Sequence, residues 1–408
     1  MSYEIVNLMR FADCVEWMPM MRKICKSSCS SESDISFRYH SPSGDIVTAG
    51  VYRRMSRQIY GSANMPEQLW AHAQDLLTEA TMAGIENPVI VGAIPFSKTS
   101  FPELFIPLSY SRDFVRRDTK TSKKLNLKSG SSPLSLDGSF ISAVAEALRK
   151  ISNRELDKVV LSRTLDLKVE LQDSGHTIVD RLLRLYPQAY NFYLPLDKDH
   201  YWLGASPELL VRRQGASVES FPLAGSAARS SQPDQDRHAA QALFDSQKDR
   251  REHQFVVDEI ARLLTPVSEP MRVPPPPLLV PAGPLWHLGT PISATLKAPW
   301  PSAMELAARL HPTPAVCGYP TQSAWELIDR LEPHARGLYA GMVGWTDAQG
   351  NGEWAVTIRC AQYHAGTLRL FAGAGIVADS SVESECQETS TKFSTLLRAL
   401  GITDEACA

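Results

Sequence analysis

The sequence contains no apolar run approaching the roughly 20 residues that a membrane-spanning helix needs. The apolar residues nearest its start, Met18, Met20 and Met21, are broken up by Glu16, Arg22 and Lys23, which argues against a secretory signal. An excess of charge is missing too: 42 Lys and Arg stand against 45 Asp and Glu, a net of −3. Neither a nucleic-acid nor an anionic-membrane surface is therefore expected as the main partner. Cysteine is scarce and unordered. Its seven residues, at 14, 25, 29, 317, 360, 386 and 407, form an odd set without framework spacing. Cys25 and Cys29 have no second ligand pair for zinc nearby. Reduced thiols and a cytoplasmic location are the expectation. No short-period repeat is evident.

What is present is an ordinary globular balance, 43% hydrophobic and 21% charged, over 408 residues, enough for a large core. Length alone suggests about two or three domains. Residues 1–60 carry little pattern beyond a Ser/Cys-rich loop at 27–33 and a short strand at 46–51. Helical periodicity covers 69–82 and a buried strand 88–95. Residues 110–133 are basic and Ser-rich (Arg116, Arg117, Lys120, Lys123, Lys124, Lys128). They read as an exposed loop, since no aromatics interleave with the charges as a single-strand groove requires.

From about residue 137 the pattern sharpens. A helix with Phe140, Val144, Leu148 and Ile151 precedes an alternating strand at 157–168, with Lys158 at its start; a charge on an edge strand would look the same. After a helix at 178–185, closely spaced strands at 190–194, 201–203, 209–212 and 218–221 imply an antiparallel sheet. The turn at 204–208 presents Glu208, and residues 222–226 form a second turn of small residues. A long helix follows, with Phe255, Val256, Ile260 and Leu263 as its apolar side. Its Glu252 is either a site carboxylate or a partner of the helix dipole. Residues 270–284, with four consecutive prolines, read as a stiff loop. Helices at 303–310 and 324–331 flank a rigid loop, and strands at 337–345, 354–362 and 367–371 complete the pattern.

The last of these strands stops, on this reading, at Gly373-Ala-Gly375, where the absence of Cβ lets backbone approach a ligand. On the helix beyond, Glu385, Glu388 and Lys392 fall at i, i+3 and i+7 and share a face. Two such carboxylates can share a hard divalent cation. A solvated face with a Glu388–Lys392 pair is the alternative.

Taken in order, several segments resemble the chorismate-utilising enzymes. They are Lys-Val-Val-Leu-Ser-Arg at 158–163, Gly-Ala-Ser-Pro-Glu at 204–208, Pro-Leu-Ala-Gly-Ser at 222–226 and Lys-Asp-Arg-Arg-Glu-His at 248–253. They continue with Leu-His-Pro-Thr-Pro-Ala-Val-Cys-Gly at 310–318, Arg-Gly-Leu-Tyr-Ala-Gly at 336–341, Thr-Ile-Arg at 357–359, and the stretch from Gly373 to Lys392. Within that family the sequence is most similar to siderophore-type isochorismate synthases. Lys158 stands where ammonia-using members carry glutamine, and Ala224 where an aminating branch carries a lysine nucleophile. The departures are Ser381-Val382, where an acidic residue or Asn followed by Pro is common, and Cys386, where an aromatic is common.

The resemblance implies an α/β (α+β) fold: one large domain of antiparallel sheets packed by outer helices, with 137–402 as the chorismate-binding region and 1–136 as a loosely matched N-terminal part. That replaces the domain count suggested by length. It implies magnesium-dependent isomerisation of chorismate to isochorismate, on the way to 2,3-dihydroxybenzoate. Lys158 would be the general base, its pKa lowered by burial or a neighbouring cation, and Glu208 the general acid. Arg359 and Tyr339 would hold the enolpyruvyl carboxylate, helped by backbone N–H groups around Gly373 and Gly375. Lys392 would contact the ring carboxylate, while Gly225, Ser226 and His287 line the ring pocket. Mg²⁺ would be held by Glu252 and Glu388, with Glu385 as ligand or through water. Chorismate would be the sole partner of a monomer with no glutamine amidotransferase subunit, nucleic acid or membrane. A salicylate synthase, or a chorismate-binding homologue without turnover, are the alternatives.

Overall fold

Along the strand Lys158–Glu170 successive side chains turn to opposite faces, as a pleated backbone requires, and the two faces meet different neighbours. Val159, Leu161, Leu167 and Val169 point towards outer helices and are buried. Lys158, Val160 and Ser162 occupy the other face. In the computed structural model, which describes residues 35–55, 65–97, 99–112, 126–127, 138–170 and 175–402, this strand lies near one edge of a ten-stranded sheet. The order across that sheet is Gly318–Tyr319, Lys158–Glu170, Thr367–Ile376, Cys360–His364, His200–Ser206, Tyr190–Asp197, Ile35–Ser41, Gly44–Ala49 and Ser109–Ser111, with Asn126–Leu127 also pairing on Lys158–Glu170.

A second, eight-stranded sheet runs Ile292–Thr295, Ser217–Phe221, Leu209–Gln214, Gly352–Val356, Met342–Asp347, Val89–Ile94, Glu103–Ile106 and Arg53–Arg54. Leu223–Ala228, Leu285–Gly289 and Leu278–Ala282 form a third, small sheet. Every pairing among the described residues is antiparallel, as the short strand spacing predicts.

Eight α-helices are described: α1 (Met65–Met82), α2 (Gly138–Ser152), α3 (His176–Leu185), α4 (Pro233–Asp245), α5 (Gln247–Leu264), α6 (Ala303–Leu310), α7 (Thr321–Leu331) and α8 (Val382–Leu400). Helices α2, α3 and α8 cover the outer face of the larger sheet, while α1 packs on α6, which lies against the smaller one. One buried apolar cluster runs from Phe37 to Cys386 and joins both sheets. A second fills the space under α3 and α8 with Ile178, Leu182, Leu203, Leu370, Phe393 and Leu397. The architecture is therefore the mixed α/β domain of antiparallel sheets and outer helices that the resemblance implies, and the strands at 35–111 complete both sheets rather than forming a separate unit.

Four local expectations change, the first at the small-residue turn expected at 222–226, where residues 223–226 belong to the strand Leu223–Ala228. The strand does not stop at the glycines: Thr367–Ile376 runs through them, with Gly373 opposite Ser162 and Gly375 opposite Val160. The proline-rich stretch holds the strand Leu278–Ala282, an edge strand, where proline's missing N–H is tolerated. Residues 337–341 are turn, and the strand there begins at Met342. The loop expected at 27–33, most of the basic segment at 110–133, and Cys14, Cys25, Cys29 and Cys407 lie outside the described residues. No described helix is long and apolar enough to cross a membrane.

Candidate active site

Two passages of chain between the large sheets frame a cleft of about 610 Å³, measured with its open mouth. His200–Ser206 leaves the ten-stranded sheet, turns at Pro207-Glu208 and continues as Leu209–Gln214 in the other. Gly352–Val356 returns through residues 357–359 into Cys360–His364. The passages are bonded to each other: Val356 N–H donates to the Glu208 carbonyl, and Ala205 N–H to the Arg359 carbonyl, both at 3.1 Å. A carboxyl and a guanidinium far apart in sequence are thereby fixed side by side.

Glu208 is 2% exposed. Burial raises its carboxyl from the ordinary 4.5 to about 7, against the opposing pull of the Leu223 N–H and of Lys158, Arg359 and Lys392. Near neutral pH it therefore still holds a proton to give. Arg359 has φ +50°, a left-handed backbone that costs a non-glycine residue roughly 1 kcal/mol or more and is typical of functional positions. Its Nη2 donates to His287 Nε2 at 3.2 Å, while His287 Nδ1–H donates to the Gly225 carbonyl at 3.0 Å. The carbonyl can only accept, so the proton sits on Nδ1 and Nε2 is the acceptor. Burial, then Arg359 and Lys392, push His287 down to about 3, which keeps the ring neutral. Tyr339 stacks on Phe371, with centroids 5.2 Å apart and planes 13° apart. Both rings line the cleft.

The expected base is fully buried. Lys158 lies on a strand paired on both sides, so the edge-strand explanation falls away, and its Nζ is 3.0 Å from Glu252 Oε1. A glycine is needed beside it: a Cβ on Gly375 would stand 2.1 Å from Glu252 Oε1 and 3.1 Å from Lys158 Cε. A Cβ on Gly373 would meet the Tyr339 hydroxyl at 2.5 Å. These glycines thus leave room for Glu252, Lys158 and Tyr339 as well as lining the cleft. Along Thr367–Ile376, Cys360–His364 pairs only with 367–370, so it leaves the neighbouring edge of 371–376 open, and the Gly373 carbonyl accepts there from Lys392 Nζ at 2.7 Å.

On the face carrying Glu385, Glu388 and Lys392, Glu385 is buried, while Glu388 and Lys392, paired with each other, are part-buried and line the cleft. Each of the three expected metal carboxylates carries a lysine: Glu252 has Lys158, Glu388 has Lys392, and Glu385 has Lys248 at 2.9 Å. Among the described residues no three His, Cys, Asp or Glu side chains close around a common point, so an enclosed protein cage for a metal is absent. The donor set does fit an ion that keeps several waters alongside a few carboxylates, as magnesium does. Glu385 Oε2 is buried without a hydrogen-bond partner. Burial and the neighbouring Glu388 raise the Glu385 carboxyl, while Glu388 is lowered: burial, the largest effect, raises it, but Lys392, Ser226 and Lys248 together outweigh that. A cation would relieve that crowding of carboxylates.

All thirteen residues singled out from the sequence lie in or directly against this cleft. Lys158 sits behind its lining with Glu252, and Glu385 sits behind Glu388. Two contributors were not singled out. Lys248 reaches Glu385 across a separation of 137 residues. Asp249 is half-buried, and desolvation raises its carboxyl; it packs where a Cβ on Gly225 (φ +74°) would stand 2.9 Å from its own. Both belong to the Lys-Asp-Arg-Arg-Glu-His segment, but no periodicity separates them from surface charges. Of the departures, Ser381 is the N-cap of α8, accepting from Ser384 N–H, and Cys386 is buried.

The family model described as chorismate binding enzyme matches residues 108–401. The isochorismate synthase EntC of Escherichia coli (strain K12) is 39% identical over 374 residues, 90% of this chain and 95% of that protein. The isochorismate synthase DhbC of Bacillus subtilis (strain 168) is 39% identical over 351 residues, 83% of this chain and 87% of the relative. Among solved structures, a putative 2,3-dihydroxybenzoate-specific isochorismate synthase, DhbC from Bacillus anthracis, superposes with a TM-score of 0.84 at 37% identity. It covers 94% of this chain and 100% of its own.

Proposed function

The chain belongs to the chorismate-binding enzyme family, and on that premise we propose that it is a magnesium-dependent isochorismate synthase serving 2,3-dihydroxybenzoate formation. The observation that carries this reading is Glu208. It is a buried carboxyl still protonated near neutral pH, beside a cleft whose cations suit a dicarboxylate. Water adds at C2 of chorismate, the diene shifts, and the C4 hydroxyl departs. Lys158 takes the proton of the attacking water, and Glu208 gives its own to the leaving oxygen, which departs as water. The proton count closes: one is gained by the lysine and one lost by the glutamic acid. The neighbouring cation expected beside Lys158 is not what the fold supplies: the charged group at its Nζ is the Glu252 carboxylate, 3.0 Å away.

Arg359 and Tyr339 hold the enolpyruvyl carboxylate, the guanidinium through donors not engaged by His287. Lys392 spends one N–H on Glu388 and one on the Gly373 carbonyl, leaving a third for the ring carboxylate. Gly225, Ser226 and His287 shape the ring pocket. Glu252 and Glu388, with Glu385 directly or through water, would hold Mg²⁺, which would supply positive charge to neutralise the ring carboxylate. Water is the nucleophile, so no ammonia-supplying subunit is required. The buried free thiols of Cys317, Cys360 and Cys386 suit the cytoplasm.

The test is incubation of the purified protein with chorismate and Mg²⁺, with and without EDTA, followed by chromatography of the products. Isochorismate in equilibrium with chorismate, absent with EDTA, is the expected result. Salicylate with pyruvate would replace this reading by salicylate synthesis. Retained binding without turnover would identify a non-catalytic homologue.

A further inference from the structure

Lys158 and Arg163 stand on the same strand but on opposite faces of the sheet, and the two faces serve different ends. Arg163 is 3% exposed. Its Nε donates to Thr389 Oγ1 at 2.9 Å, and its Nη2 donates to Ser390 Oγ at 2.7 Å and the Cys386 carbonyl at 3.1 Å. These three partners occupy a single turn of α8, at i, i+3 and i+4. Thr389 and Ser390 also bond back to carbonyls within that turn. The guanidinium lies between Phe140 of α2 and Phe393 of α8, 5.7 and 5.5 Å from the ring centroids. The turn so gripped carries Glu388 on its far side, with Glu385 and Lys392 just before and after it.

From this geometry we infer that Arg163 is a positioning residue for the reaction. It fixes the rotation and depth of α8 against the strand that bears Lys158, and so sets where Glu385, Glu388 and Lys392 stand relative to the base. The inference rests on the proposed roles of those three side chains. Their ends lie about 6 Å from the helix axis, so a rotation of ~10° would move them by ~1 Å. A displacement of that size costs on the order of 100-fold in rate where reacting groups must be aligned. A lysine at 163 keeps the charge but has no planar fork able to hold three groups of one turn.

The experiment compares the wild-type protein with Arg163→Lys and Arg163→Met. It measures Mg²⁺ binding to the protein alone by calorimetry, kcat and KM for chorismate, and thermal unfolding by circular dichroism. Arg163→Met should weaken Mg²⁺ binding at least about 10-fold and lower kcat/KM about 100-fold, with Arg163→Lys intermediate. Wild-type Mg²⁺ affinity and kcat in both variants, with only a lower melting temperature, would make Arg163 merely structural and overturn the inference. Should the methionine variant not fold, the lysine variant decides by the same readouts. Failure of the wild-type protein itself to bind Mg²⁺ or turn over chorismate would instead overturn the functional reading beneath it.

Discussion

Replacing Glu208 by Gln should make the protein more stable and nearly inactive, with a pH dependence that identifies the cause. The carboxyl is moved from 4.5 to about 7 by burial. At ~1.4 kcal/mol for each factor of ten in proton affinity, this corresponds to about 3 kcal/mol. Because the folded chain holds this proton more tightly than the unfolded one, the group erodes stability as pH rises from about 4.5 to about 7, and is without further effect outside that window. Glutamine has nearly the same shape and no proton to lose. Glu208→Gln should therefore match the wild type near pH 4.5 and exceed it by about 3 kcal/mol at pH 8, as read from urea unfolding of both proteins across that range. Other titrating groups cancel in the difference unless they touch Glu208. Turnover should fall by roughly 10²- to 10⁴-fold, the usual worth of a positioned acid. In the wild type, forward kcat/KM should decline above about pH 7 as the carboxyl loses its proton. A stability gain that is constant with pH, or a loss at pH 8, would refute the reasoning.

Lys158→Ala should abolish turnover while the circular dichroism spectrum remains that of the folded protein; full activity would remove Lys158 from the chemistry. Glu252→Gln should show itself as lost Mg²⁺ dependence, measured by titrating the metal into activity assays, and an unchanged Mg²⁺ response would remove it from the metal site. Gly373→Ala forces a Cβ to within 2.5 Å of the Tyr339 hydroxyl and should destabilise by about 1–3 kcal/mol. Adding Tyr339→Phe should restore much of that loss in thermal melts, and no recovery in the double variant would show that the clash lies elsewhere.

The candidate site residues were legible because they sit in short segments whose order along the chain is distinctive. Their surroundings were less so. A lysine beginning a strand looks the same in sequence whether that strand is an edge or is paired on both sides, as Lys158 is. Helical spacing puts Glu385, Glu388 and Lys392 on one face but does not say whether that face meets water or Lys248, which comes from a helix 137 residues earlier. Glycines at 373 and 375 looked like a strand end because local propensity disfavours them there. The strand continues through them because tertiary pairing with Ser162 and Val160 overrides that preference. In the proline-rich stretch the small sheet's edge, created by Leu285–Gly289, recruits Leu278–Ala282. In each case the deciding partner lies beyond the reach of local pattern.

The pairing of Thr367–Ile376 with Lys158–Glu170 also governs how the protein is born. It is the longest ladder among the described residues, and it joins segments synthesised some two hundred residues apart. Until the later strand emerges, the larger sheet is split into two parts, one holding Lys158 and the other the hairpin of Tyr190–Asp197 and His200–Ser206. Closing so long a loop before its contacts can form makes for slow folding. During that interval, one edge of each part is open to pairing with another chain. Overexpression at lower temperature, or with chaperones that shield nascent strands, should accordingly raise the yield of soluble protein more than changes to the finished surface would.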